Sequence, residues 1–152
     1  MLMNQELIPQ QVAEHCAEAL LLRDHTARSI GANCEQVGPG HSRFNMTVRQ
    51  QMLNSHQTCH GGMIFTLADT AFAYACNSYN QVALATSCSI EFLRPVYLGD
   101  ILTADAREQS LNGRSGVYDI TITNQNSQTV ALFRGKSLQI REEVITNIGA
   151  DK

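Results

Sequence analysis

No apolar run in this sequence is long enough to cross a bilayer. The longest, around Met63–Ala75, is interrupted by Asp69 and Thr70 and falls short of the ~20 residues a membrane span requires. No membrane partner is therefore expected. Residues 1–8 carry apolar side chains but no basic region and no cleavage-like site, so no targeting segment is expected and the chain reads as soluble and cytoplasmic. An excess of cations is missing too. Eleven Lys and Arg face fourteen Asp and Glu, a formal net charge of -3, which argues against general nucleic-acid binding. The five cysteines, Cys16, Cys34, Cys59, Cys76 and Cys88, are odd in number and irregularly spaced, which is no disulfide framework. Cys76 and Cys88 lie in apolar runs and read as small core residues. The trio His56, Cys59 and His60 matches no standard zinc spacing, and no second cysteine-rich half exists, so no metal is expected. Repeats, linkers and low-complexity segments are also missing. What remains is one domain over 1–152, with its core at about 8–141 and a tail, 143–152, expected to fray.

Charge is scarcest in the middle of the chain. Asp69 is the only formally charged residue between His60 and Glu91, inside the run His60-Gly-Gly-Met-Ile-Phe-Thr-Leu-Ala-Asp69-Thr-Ala-Phe-Ala-Tyr-Ala-Cys76. The run predicts a buried helix, apolar on nearly every face. Burying an unpaired carboxylate costs several kcal/mol, so such a group is neutralised, paired or solvated in a cleft. Asp69 is accordingly a site candidate, against the alternative of a buried acid paired with an arginine or capped by a hydroxyl.

Around this helix the patterning is that of strands. Gln10–Thr26 has helical spacing, with Val12, Cys16, Ala19, Leu20 and Leu22 as its apolar stripe. Ser29–Val37 and His41–Arg49 predict strands around Gly38-Pro39-Gly40, the second alternating through Phe44, Met46 and Val48. Gln50–Cys59 is a polar loop, and the central helix runs from Gly61 to about Asn77. Val82–Arg94, Ile101–Leu111, Gly116–Asn124 and Thr129–Arg141 follow as strands, with a hairpin signal at Asn112-Gly113. This order describes an α+β fold, an antiparallel sheet wrapped around one central helix. The sheet covers one side of an all-apolar helix, and a second subunit is the economical cover for the rest.

The helix start has its own chemistry. Gly61 and Gly62 leave backbone N–H groups sterically open, and the first N–H groups of a helix lack intrahelical partners. With the helix dipole they favour developing negative charge, an oxyanion hole in outline; the alternative is a glycine start that merely permits close packing. Asp69 can serve such a site as nucleophile or as general base for water. Gly61 and Asp69 are eight residues apart, or ~12 Å along a helix, whereas reacting atoms sit about 3–3.5 Å apart. The spacing therefore predicts two helices side by side, each site taking Gly61 from one chain and Asp69 from the other. In the preceding loop, Asn54 is a candidate for orienting the carboxylate or a water, and His60 for holding the loop or touching the ligand. A Cys59–His60 nucleophile pair is disfavoured, since sequence neighbours rarely face each other usefully. The cations Arg94, Arg107, Arg114, Arg134, Lys136 and Arg141 crowd the C-terminal half, suiting either a local anionic ligand or solvated strand faces.

The stretch Met52–Asn77, with its His-Gly-Gly-x-x-x-x-Leu-Ala-Asp core, resembles the hotdog-fold acyl-CoA thioesterases, in particular those of phenylacetate degradation. The likeness continues through Ser89-Ile-Glu-Phe-Leu-Arg-Pro95, Gly99-Asp100, Gly116-Val-Tyr-Asp-Ile120 and Thr129–Ser137. It implies a hotdog fold, homodimers with shared active sites and their pairing into a homotetramer. It also implies hydrolysis of a (hydroxy)phenylacetyl-CoA-like thioester, with no cofactor because coenzyme A is part of the substrate. By position it makes Asp69 the nucleophile or general base and the Gly61 N–H the carbonyl-polarising donor, with Asn54 and His60 assisting. A strand hydroxyl, Thr86 or Ser87, contributes. Arg94, Arg134 and Lys136 become contacts for the coenzyme A phosphates. Met63, Phe65, Thr66 and Thr70 are candidates for the acyl pocket, each also readable as plain core. Ser55 stands in place of a glycine, and Met63-Ile64 in place of a more polar pair, changes that bear on acyl preference. Two other functions use the same fold. An enoyl-CoA hydratase places its acid and histidine ahead of the helix, whereas Asp69 lies in mid-helix; a non-catalytic acyl-CoA sensor would carry a partner module, and no DNA-binding segment is visible.

Overall fold

The alternation that predicts strands reappears as two faces of one sheet. In the computed structural model, which describes residues 6–148, strands β1 (Asn33–Gly38), β2 (His41–Thr47), β3 (Ala83–Phe92), β4 (Ile101–Asn112), β5 (Ser115–Thr123) and β6 (Thr129–Gln139) form a six-stranded sheet. Its order is β1-β2-β4-β5-β6-β3, and every neighbouring pair is antiparallel. Phe44, Met46, Leu102, Ala104, Ala106, Tyr118, Ile120, Ile122, Ala131 and Phe133 are buried on its inner face. Against them packs a helix over Gly61–Cys76, which buries Ile64, Leu67, Ala68, Ala71, Phe72, Tyr74 and Ala75. Small residues let the helix come close: a Cβ on Gly135 would lie 2.7 Å from the Phe72 ring. The expected α+β wrap is the observed one. Among the described residues no helix is long and apolar enough to cross a membrane.

The first helix is shorter than its periodicity predicts. α1 covers Pro9–Arg23, and a separate short helix, α2, follows at His25–Ser29; the long central helix is α3. Asp24 makes the break, because its Oδ1 accepts the Ala27 N–H at 2.8 Å as an N-cap, while Oδ2 accepts the Tyr74 hydroxyl at 3.1 Å. The strand expected from Ser29 consequently begins only at Asn33, after a turn through Gly31 at φ +68°. The β4–β5 hairpin also shifts by one residue. Asn112 pairs with Ser115, so the loop is Gly113-Arg114 with Gly113 at φ +59°, suiting a glycine-first two-residue turn.

The tail expected to fray is docked at Val144 and Ile145. Ile145 N–H donates to Asn80 Oδ1 at 2.8 Å, Asn80 Nδ2 donates to the Ile145 carbonyl at 3.1 Å, and Val144 is buried. Residues 149–152 of that tail lie outside the described residues.

Candidate active site

The site is assembled from the start of α3, one exposed stripe of that helix and the end of β3. Gly62, Thr66, Asp69 and Ala73, spaced as one helix face, are left at least partly open by the sheet, as are Gly61, Met63 and Phe65 in the first turns. From Leu67 onward the apolar side chains off that face are buried. A carboxylate at this one position is therefore reachable from outside the core. Burial alone acts on Asp69, raising its carboxyl above the ordinary 3.8; among the described residues no cation or donor offsets it. The arginine partner or hydroxyl cap that would make Asp69 structural is not found there.

Two open N–H donors are expected at the helix start, and the structure leaves one. His60 is the N-cap of α3, and its Nδ1 accepts the Gly62 N–H at 2.9 Å. That bond occupies Nδ1, so the proton of the neutral ring sits on Nε2, on an exposed side chain. Among the described residues no acceptor takes the Gly61 N–H. The free donor of the α3 N-terminus is thus Gly61, and His60 acts by capping, which holds the first turn in place.

Asn54 is committed to its own loop. Its Oδ1 accepts the N–H groups of His56 at 2.9 Å and Thr58 at 3.3 Å, and its Nδ2 donates to Thr58 Oγ1 at 3.1 Å. This side-chain turn, with the Leu53–Cys59 bridge, fixes the chain that delivers His60 and Gly61. Cys59 is buried, and desolvation, reinforced by the Asp100 charge, pushes its thiol up to about 11, far from the thiolate a nucleophile needs. His56 and His60 do not make it a ligand set: among the described residues no three His, Cys, Asp or Glu side chains group to hold a metal.

A cleft of about 410 Å³ lies at the helix start, lined by Thr58, Cys59, Gly61, Ile64 and residues 92–96, Arg94 among them. Arg94 therefore lines the same cleft as Gly61. Arg134 and Lys136 do not line that cleft. They alternate on β6 with Phe133, Gly135 and Ser137, which are buried on the helix side, so within one chain they occupy the opposite face of the sheet. There Arg134 holds Asp119 through Nε at 2.6 Å and a second nitrogen at 2.8 Å. Ser87 pairs with Lys136 and alternates with Cys88, which packs on the core, so it shares that outer face. Thr86 sits at the bulge between Ala85 and Ser87 and donates to the Lys136 carbonyl at 3.2 Å. The hydroxyls of Thr66 and Thr70 donate back to the carbonyls of Gly62 at 2.8 Å and Thr66 at 2.7 Å. Phe65 packs edge-on to Phe133, ring centres 5.1 Å apart.

The geometry, an acid and a free helix-start donor on a helix wrapped by an antiparallel sheet, coincides with a family match. Residues 56–131 fit the thioesterase superfamily. The chain belongs to the thioesterase superfamily. It is 52% identical to the acyl-coenzyme A thioesterase PaaI of Escherichia coli over 82% of this chain and 89% of that protein. The solved structure of the E. coli PaaI protein from the phenylacetic acid degradation operon superposes with a TM-score of 0.88 at 48% identity, covering 90% of this chain and 99% of that one. A Streptococcus mutans protein bound to acetyl CoA superposes at 0.71 with 29% identity, over 74% and 90% of the two chains. The fold of this superfamily member is the hotdog fold, and its class is thioester hydrolase.

One residue beside the helix start is not singled out by the sequence. Phe92 lies against Gly61, where a Cβ would sit 2.9 Å from Phe92 Cζ. It read as one more strand residue, since thirty-one positions separate the two and only the β3–β6 pairing brings the end of β3 over the helix start.

The raised Asp69 carboxyl carries a sign that calorimetry can check. A carboxyl whose folded pKa exceeds its unfolded value binds more protons folded than unfolded between the two, so stability falls as pH rises from about 3.8 through the folded pKa. Above that window the ionised acid destabilises the fold. Asp69→Asn should therefore melt a few degrees higher than wild type at neutral pH, with the difference vanishing below the ordinary carboxylate range. A lower melting temperature at neutral pH would mean that Asp69 has a stabilising partner.

Proposed function

We propose that this protein is an acyl-CoA thioesterase that hydrolyses aryl-acyl-CoA thioesters of the phenylacetyl and hydroxyphenylacetyl kind to the free acid and coenzyme A. The observation that carries this reading is the half-buried, unpartnered carboxylate of Asp69 on the open stripe of the helix whose first residue, Gly61, keeps a free N–H. The acyl-CoA part is supported by the named activity of the E. coli relative and by the acetyl CoA in the S. mutans neighbour. The aryl part is supported by the phenylacetic acid operon of the E. coli protein. Such chemistry suits a cytoplasmic enzyme.

In this reading the Gly61 N–H donates to the thioester oxygen and stabilises the charge that develops there, aided by the helix dipole. Asp69 either takes a proton from the attacking water or attacks the carbonyl itself and is then freed by water. Both routes consume one water, break the C–S bond and release coenzyme A as its thiol. No cofactor is required. His60 and Asn54 position the helix start, and Arg94 meets the coenzyme A phosphates.

The site is completed by a second copy. β3 is an edge strand of ten residues, seven of them exposed, and a long open edge seeks a partner. Pairing two β3 edges about a two-fold axis extends the sheet and sets two α3 helices side by side, each Asp69 facing the other chain's Gly61. Exposed Tyr97, Leu98 and Ile101 leave apolar surface for joining two dimers into a homotetramer.

A panel of acyl-CoA esters assayed with a thiol reagent tests the function. Coenzyme A release should be fastest from phenylacetyl-CoA and its ring-hydroxylated forms. No release from any ester would reject the thioesterase reading, and preference for straight-chain acyl groups would reject the aryl assignment alone.

A further inference from the structure

We infer that Phe92 positions and selects the acyl group at the Gly61 donor, an assignment that rests on the thioesterase reading above. Phe92 is the final residue of β3, paired with Ala131. Its ring tip occupies the space beside Gly61: a Cβ there would meet Cζ at 2.9 Å, Cε1 at 3.3 Å and Cε2 at 3.4 Å. Gly61 is not among the positive-φ glycines, so its backbone conformation does not call for glycine. The space does, because a Cβ at position 61 meets the tip of the ring, which has to swing away to admit it.

The same ring is 51% exposed, and it lines the cleft that holds Gly61 and Arg94. A large aromatic left half-open beside a free hydrogen-bond donor has two consequences. It displaces water from the donor, and a donor in a drier setting stabilises a developing oxyanion more strongly. It also offers a π surface to whatever follows the carbonyl. A flat aryl group gains offset or edge contact there that a flexible alkyl chain does not. Phe92 thus favours aryl-acyl over alkyl-acyl thioesters, and Gly61 and Phe92 form a matched pair in which the size of one limits the other.

The test uses the full-length protein and four variants: Phe92→Ala, Phe92→Tyr, Gly61→Ala and Gly61→Ala/Phe92→Ala, each checked for folding by thermal melt. kcat and KM are measured with phenylacetyl-CoA and hexanoyl-CoA. Phe92→Ala should lower kcat/KM for both substrates, and about tenfold more for phenylacetyl-CoA than for hexanoyl-CoA, whereas Phe92→Tyr should keep the wild-type preference. Gly61→Ala should lose about a hundredfold on both substrates. Removing the ring in that background should recover activity on hexanoyl-CoA, because the collision is gone. Equal losses on both substrates in Phe92→Ala, or a double variant no better than Gly61→Ala, would overturn the assignment. Wild-type protein that hydrolyses hexanoyl-CoA but not phenylacetyl-CoA overturns it while leaving the thioesterase reading intact; release from neither ester removes both.

Discussion

Asp69→Asn should lose about a thousandfold in kcat while remaining folded. The substitution keeps the shape of the side chain and removes its charge and basicity, so it can neither deprotonate water nor attack a carbonyl. The loss should fall on kcat more than on KM, since the carboxylate acts on the reacting centre and not on the coenzyme A portion. Paired with the higher melting temperature expected at neutral pH, this outcome separates a catalytic acid from a structural one. A structural acid would lose stability and activity together; here the two should move in opposite directions, because among the described residues it is burial that acts on Asp69. Retention of more than a tenth of wild-type kcat would remove Asp69 from the reaction. Single-turnover hydrolysis in oxygen-18 water then resolves its role. Label in the Asp69 carboxylate marks attack by the side chain, and unlabelled carboxylate marks general-base catalysis.

Two inactive variants should restore each other when they share a dimer. Gly61→Val places a branched side chain against the Phe92 ring and closes the donor, while Asp69→Asn removes the acid; each homodimer should be nearly dead. In a heterodimer with shared sites, one site combines the intact Gly61 of one chain with the intact Asp69 of the other, and the second site carries both lesions. A purified heterodimer, isolated by two different tags, should therefore regain about half of the wild-type rate per dimer. The geometric reason is the ~12 Å of helix rise between the two positions, too far for one chain to bring both groups within about 3–3.5 Å of one carbonyl. A heterodimer as inactive as its parents would place each site within a single chain.

Much of this molecule is local pattern, and local pattern is legible. The α3 limits lie within a residue of the expected ones because a glycine pair opens an unbroken apolar run and Asn77 ends it. β2, β4 and β5 follow their alternation closely, since period two and a half-buried face are the same fact. The first helix was read too long because α2 continues the same helical composition past Asp24; what divides them is a side-chain cap made also by contact with Tyr74, fifty residues away. The tail was read as fraying because nothing in its own sequence announces Asn80 as its partner.

The functional site divides the same way. The sequence by itself determined that one carboxylate stands alone in an apolar helix eight residues beyond its glycine start, and that the two lie ~12 Å apart along it; both follow from composition and the fixed rise of a helix. Only the tertiary structure decided which donor is free, because His60 must fold back to take the Gly62 N–H. It also separated the basic residues. Arg94 lines the cleft, while Arg134 and Lys136 stand on the far face of the sheet, a matter of strand parity that depends on register and on a bulge in the neighbouring strand. Phe92 reached Gly61 through the same long-range pairing, which joins residues that no sequence window contains.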